Sequence, residues 1–114
     1  MSWLISLLLV GNIITLNVVD MPSLLNELAM CESSLNPKAY VANDGGSESI
    51  GLFQFKTKTF EWATKRYNLK GLDIWNPEHQ KIVATKLLEE GRHSHWKVCG
   101  TKLKLGEIIW NIKM

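Results

Sequence analysis

The sequence predicts a single α-rich domain, and three observations carry that expectation. Apolar residues recur at helical spacing in several separate stretches. Proline, asparagine and glycine stand where helices start and stop. The chain has 114 residues, room for one domain with one modest core and not comfortably for two. No internal repeat, low-complexity run or linker interrupts it.

The first 20 residues stand apart. Trp3 to Val19 carries no charged side chain. A membrane-spanning helix needs about 20 predominantly apolar residues, and this run is shorter and diluted by Asn12, Thr15 and Asn17. A secretory signal has basic residues before its apolar run and a small-residue cleavage site after it. The run has neither, so it fits both export patterns imperfectly. The expectation is a signal or membrane anchor over residues 1–20, with a buried helix of the fold as the alternative. The folded domain then covers residues 21–114.

From there, Pro22 and Ser23 open a helix through Leu24, Leu25, Leu28 and Ala29 that ends near Cys31, because proline is tolerated in a first turn. Asn36-Pro37 closes that segment, since the residue before proline is pushed out of the α region. Asn43-Asp44-Gly45-Gly46-Ser47 is a dense turn signal, and Ile50 to Phe55 is a short apolar stretch. Thr57 or Thr59 is expected to cap a helix carrying Phe60, Ala63 and Tyr67. Asn76 as N-cap with Pro77 behind it starts another helix, through Ile82, Val83, Leu87 and Leu88, which Gly91 stops. A last helical piece holds Trp96 and Cys99 and is closed by Gly100. The tail from Thr101 onward reads equally as helix or strand.

Composition narrows the function classes. The net charge is +2, which suits an anionic surface such as a cell wall and is too weak to argue for nucleic acid. Five tryptophans hint at sugar stacking, although Trp62, Trp75 and Trp96 each read more readily as structural residues than as stacking platforms. Phosphate loops, nucleotide fingerprints and hydrolase serine elbows are missing. His93, His95 and Cys99 lack a fourth ligand and match no standard zinc spacing, so no metal and no cofactor are expected. The two cysteines, Cys31 and Cys99, permit one disulfide or two buried thiols. A bond between them would close a long loop, worth roughly 4 kcal/mol by chain entropy.

Glu32 is the residue with chemistry in it. It follows an apolar helical stripe and precedes a turn. At a helix C-terminus it meets the negative end of the dipole, and burial would act in the same direction, favouring the protonated form. A carboxylic acid that keeps its proton near neutrality is what a glycosidic oxygen needs from a general acid. By position alone, a solvated surface glutamate is the commoner case.

The neighbourhood of Glu32 shifts that balance. Cys31-Glu32-Ser33-Ser34-Leu35-Asn36-Pro37, followed by Ser49-Ile50-Gly51-Leu52-Phe53-Gln54-Phe55, resembles the soluble-lytic-transglycosylase-like family, which shares its core with goose-type lysozymes. That family carries an E-S-x-x-N-P segment, a turn, and then G-L-x-Q. The resemblance runs on through Thr59-Phe60 and Asn76-Pro77, over roughly residues 24 to 99. It implies a mainly α, lysozyme-like fold with a sugar-binding cleft, and a monomer acting on peptidoglycan glycan strands in the cell envelope. Glu32 becomes the catalytic acid and later the base. The bond cleaved is the β-1,4 link between N-acetylmuramic acid and N-acetylglucosamine. The sugar's own 6-hydroxyl attacks, so a 1,6-anhydro product forms without a second carboxylate, outside the usual two-carboxylate scheme.

Supporting roles follow from residue chemistry. Ser33 sits beside the acid and can bond it or the substrate. Gly51 lets backbone approach a sugar closely. Gln54 offers donors and an acceptor to an N-acetyl sugar, and Phe53 is a candidate substrate contact that also reads as core. Two departures from the family pattern stand out. The A-Y-N-A-G segment is absent, and His93-Ser94-His95-Trp96-Lys97-Val98-Cys99 occupies the corresponding stretch. Where hydrolytic relatives carry an acid after G-L-x-Q, this chain has Lys56. Asp44 or Glu48 keeps a hydrolytic muramidase open as the alternative. An inactive wall-binding module, or a structural part of a phage tail or secretion machine, is the non-enzymatic rival.

Overall fold

The computed structural model describes the backbone of residues 4–10 and 13–108, and side chains from Asp20 to Ile108. The order is β1 (Leu4–Val10), β2 (Ile13–Val19), α1 (Met21–Ser33), β3 (Tyr40–Asp44), β4 (Ser47–Ile50), α2 (Thr57–Arg66) and α3 (Pro77–Glu89). A 3-10 turn at His93–His95 then leads into α4 (Lys97–Lys102). Residues 105–108 are again helical, and the rest of the ambiguous tail lies outside the described residues. The mainly α class is the one the sequence predicts.

The clearest departure is at the start. Residues 4–10 and 13–19 pair as antiparallel strands, Leu4 opposite Val19 and Val10 opposite Ile13, in place of the buried helix that stood as the alternative to a signal or membrane anchor. Among the described residues no helix is long and apolar enough to cross a membrane. The run is rich in Ile, Val and Thr, whose branched Cβ favours extended backbone. A second hairpin, β3–β4, was anticipated only as a turn. Gly45 and Gly46 both have positive φ, and Asn43 accepts the Gly46 N–H at 3.0 Å.

The helix boundaries follow local chemistry. Asp20 caps α1 by accepting the Ser23 N–H at 2.8 Å, and Ser34 ends it in the left-handed region. Asn76 caps α3 by accepting from Glu78 and His79. Two expectations need correction. Lys56, not a threonine, holds the N-cap position of α2, and the Thr57 hydroxyl donates to Glu48 at 2.8 Å. Gly100 does not stop the last helix but lies within α4. A Cβ there would meet the His93 carbonyl oxygen at 3.4 Å and Leu105 at 3.5 Å, so this glycine permits close packing.

The core gathers Leu24, Leu25 and Leu28 of α1, Phe60 of α2, and Val83, Leu87 and Leu88 of α3 around Phe53, Phe55 and Trp96. Each fully buried side chain of this size contributes about 1.5–3 kcal/mol of apolar burial. Trp96 donates its indole N–H to the Phe53 carbonyl at 2.9 Å, which ties the start of α4 to the loop after β4. Cys31 and Cys99 are disulfide-bonded, with Cα atoms 5.9 Å apart. The bond fastens the C-terminal end of α1 to α4.

Candidate active site

Glu32 lies one residue before the end of α1, between Cys31, anchored by the disulfide, and the left-handed Ser34. It lines a cleft of about 470 Å³. One side of the lining comes from the β3–β4 turn and the loop after β4, through Asp44, Gly45, Ser49, Gln54 and Phe55. Lys56 and Thr59 follow at the start of α2, and Ser94 to Val98 complete the wall. Segments more than 60 positions apart in sequence thus meet at one carboxyl group. Trp96 and Cys99, both buried behind the exposed Ser94, His95, Lys97 and Val98, hold them there, the second through its disulfide to Cys31.

Burial raises the Glu32 carboxyl above the ordinary glutamate range, and the negative charge of Asp44 adds to the shift. Both causes penalise the carboxylate and not the acid. Among the described residues the Glu32 carboxyl has no hydrogen-bond partner. Asp44 is differently placed. The Ser49 hydroxyl donates to its Oδ2 at 2.7 Å, the Lys56 ammonium stands 4.0 Å from the same oxygen, and that ammonium also bonds the Asp44 carbonyl.

The other expected site residues divide. Gln54 lines the cleft in a left-handed conformation. Its amide nitrogen donates to the Gly51 carbonyl at 3.0 Å and the Ala39 carbonyl at 3.4 Å, leaving Oε1 without a partner among the described residues. Ser33 turns its hydroxyl back to the Ala29 carbonyl at 3.1 Å and does not bond Glu32. Glu48 accepts from the Tyr40 hydroxyl and from Thr57 and is not part of the cleft lining. Phe53 is fully buried, so its ring packs the core and offers no face to a sugar. Cys99 is committed to its disulfide and cannot join His93 and His95 as a metal ligand.

Gly51 also needs a different explanation. It has φ 77°, and a Cβ there would sit 2.4 Å from the Gln80 amide nitrogen. The space is therefore filled by a side chain of α3 and is not kept open for a ligand. Gln80, fully buried, donates to the carbonyls of Ile50 at 2.8 Å and Ile74 at 2.6 Å, and accepts the Phe53 N–H at 3.0 Å. Sequence reasoning missed this residue. Its one signal was an amide among the inward positions of an amphipathic helix.

The model of the Transglycosylase SLT domain matches residues 15–98. The chain belongs to that family. The match covers Glu32, the β3–β4 hairpin, the loop carrying Gly51 and Gln54, and the wall at Ser94 to Val98. It also covers the helices that build the lysozyme-like core. As an SLT domain, the chain is a transglycosylase-type enzyme acting on peptidoglycan, which implies a place in the envelope or outside the cytoplasm. No curated protein and no solved structure matches the chain.

Proposed function

We propose that this SLT domain is a lytic transglycosylase that cleaves the β-1,4 bond between N-acetylmuramic acid and N-acetylglucosamine and leaves a 1,6-anhydro end. The observation that carries it is the setting of Glu32: a carboxyl lining the cleft, whose pKa burial and the charge of Asp44 both raise. Glu32 gives its proton to the glycosidic oxygen as the bond from C1 breaks. The substrate's N-acetyl carbonyl stabilises the positive charge at C1. The 6-hydroxyl of the same sugar then closes on C1 and returns its proton to Glu32, so no water is consumed and no second carboxylate acts. General acid catalysis of this kind contributes about 10²–10⁴-fold. The apolar first 20 residues are read as the part that takes the domain to the envelope.

Hydrolysis by water is the second reading, because Asp44 shares the cleft and its charge reaches Glu32. Against it, Ser49 and Lys56 already engage the carboxylate a water-activating base would have to supply. Mass spectrometry of products from purified glycan strands separates the two. Anhydro ends support the lyase, reducing ends support the muramidase, and no cleavage would leave a wall-binding module.

A further inference from the structure

His95 is the cleft residue that the reaction above does not use. It closes the 3-10 turn at the mouth of α4 and is exposed to the same cleft as Glu32 and Gln54. Its ring is held between two indoles, 5.8 Å from Trp62 and edge-on to Trp96 at 6.3 Å. Trp96 is itself anchored by its bond to the Phe53 carbonyl. Trp62 is steadied by the guanidinium groups of Arg66 and Arg92, 5.6 and 5.2 Å from its ring. Neither imidazole nitrogen has a hydrogen-bond partner among the described residues. A polar ring that is oriented by its neighbours and bonded to none of them is prepared for a ligand in the cleft.

We propose that His95 is a substrate-positioning residue, whose uncharged imidazole hydrogen-bonds an N-acetyl or hydroxyl group of the sugar bound beside Glu32. The proposal rests on the cleft being the glycan site. A neutral imidazole offers one donor and one acceptor, matching an acetamido group that presents both a carbonyl and an N–H. Protonation replaces the acceptor with a second donor and abolishes that match. The surroundings favour the neutral ring: partial burial lowers its pKa, and Arg92 lowers it further. The charged groups around it are Arg92 before the turn, Arg66 on α2, Lys97 on α4, and Lys56 on the far lining. Asp44 and Glu32 are the acidic members of the same cleft. Glu32 itself works best protonated, so it accounts for loss of activity as pH rises and not as pH falls. An acid limb of kcat/KM is therefore the expected signature of His95.

The test uses His95→Phe, which keeps a ring between the two indoles, and His95→Gln, which restores an uncharged donor and acceptor. For cleavage of glycan strands, His95→Phe is expected to raise KM about tenfold, the worth of one unreplaced hydrogen bond. Its kcat should stay within threefold and the acid limb should disappear. His95→Gln should recover most of the affinity and also lack the acid limb. A KM within twofold of the parent in His95→Phe, or an unchanged acid limb in both variants, overturns the proposal. Binding of the β-1,4-linked N-acetylglucosamine tetramer to the Glu32→Gln protein, by calorimetry, separates this from the proposed reaction. There, adding His95→Phe should weaken Kd about tenfold even if the parent proves unable to cleave. An unchanged Kd, or no binding by Glu32→Gln protein, overturns it.

Discussion

Replacing Gly51 with alanine tests whether this glycine serves the fold or the ligand. At φ 77° an L side chain costs about 1–2 kcal/mol of backbone strain. The new Cβ would also stand 2.4 Å from Gln80 Nε2 and 2.9 Å from its Cδ, too close for either to stay. A free amide would swing aside cheaply, but this one is fully buried and held at three points. The Ile50 carbonyl keeps its bond from the Phe55 N–H. The Phe53 N–H and the Ile74 carbonyl have only Gln80 among the described residues, and each buried group left unpaired costs about 1–3 kcal/mol. Strain and lost bonds together come to about 3–8 kcal/mol, a large part of the 5–15 kcal/mol that holds a typical domain. Urea unfolding should show the midpoint falling at constant m, and the melting temperature dropping by about 12 °C or more. In a Gln80→Ala background only the strain remains, so the same substitution should cost about 1–2 kcal/mol. An equal cost in both backgrounds, or a stable Gly51→Ala protein with raised KM, would refute the packing argument and return Gly51 to the substrate.

Four further outcomes are expected. Glu32→Gln should abolish cleavage while leaving the fold, and activity within tenfold of the parent would remove Glu32 from the mechanism. The same variant should change the pH dependence of stability. Because the folded-state pKa of Glu32 is raised, the parent has its full share of stability below about pH 4.5, the ordinary glutamate value, and loses it as pH rises through the folded value. Glu32→Gln, which does not titrate, should therefore gain on the parent as pH rises above that point, and thermal melts at pH 4 and pH 7 check the sign. Breaking Cys31–Cys99 by a double serine substitution releases a loop whose ends are 68 residues apart. The chain-entropy relation puts the loss at about 4 kcal/mol, and denaturant midpoints equal to the parent's would contradict it. Asp44→Asn should keep most cleavage if the 6-hydroxyl is the nucleophile. A fall of about 10²–10⁴-fold, the range for losing a general base, together with reducing-end products, would establish the hydrolytic route.

Short-range chemistry was legible in the sequence wherever the causes are local. Asn76-Pro77 starts α3 and Gly91 ends it, because capping and positive φ depend on a few adjacent residues. The mainly α class and the catalytic candidate Glu32 could be read the same way, the second with the help of the segment that follows it. The cysteine pair could be named because the chain has two. The strand pairing of residues 4–10 with 13–19 was not anticipated, because an uncharged apolar run of this length has the same composition in a helix or in paired strands. Its Ile, Val and Thr content and the Gly11-Asn12 dipeptide between the two halves were the available signals.

What only the tertiary structure decided depends on partners far apart in the chain. Gln80 reads as an ordinary helix residue until it meets the Phe53 N–H, 27 positions away, and the Ile50 carbonyl, 30 positions away. The family glycine at 51 is then seen to make room for that amide. The sequence alone named Glu32 as an acid, but its proton affinity comes from burial and from Asp44. Those terms exist only once the β3–β4 hairpin has brought Asp44 to the cleft and the disulfide and Trp96 hold α4 and the turn before it against the end of α1. A carboxyl's chemistry is set by the dielectric and the charges around it, and these are properties of the assembled cleft.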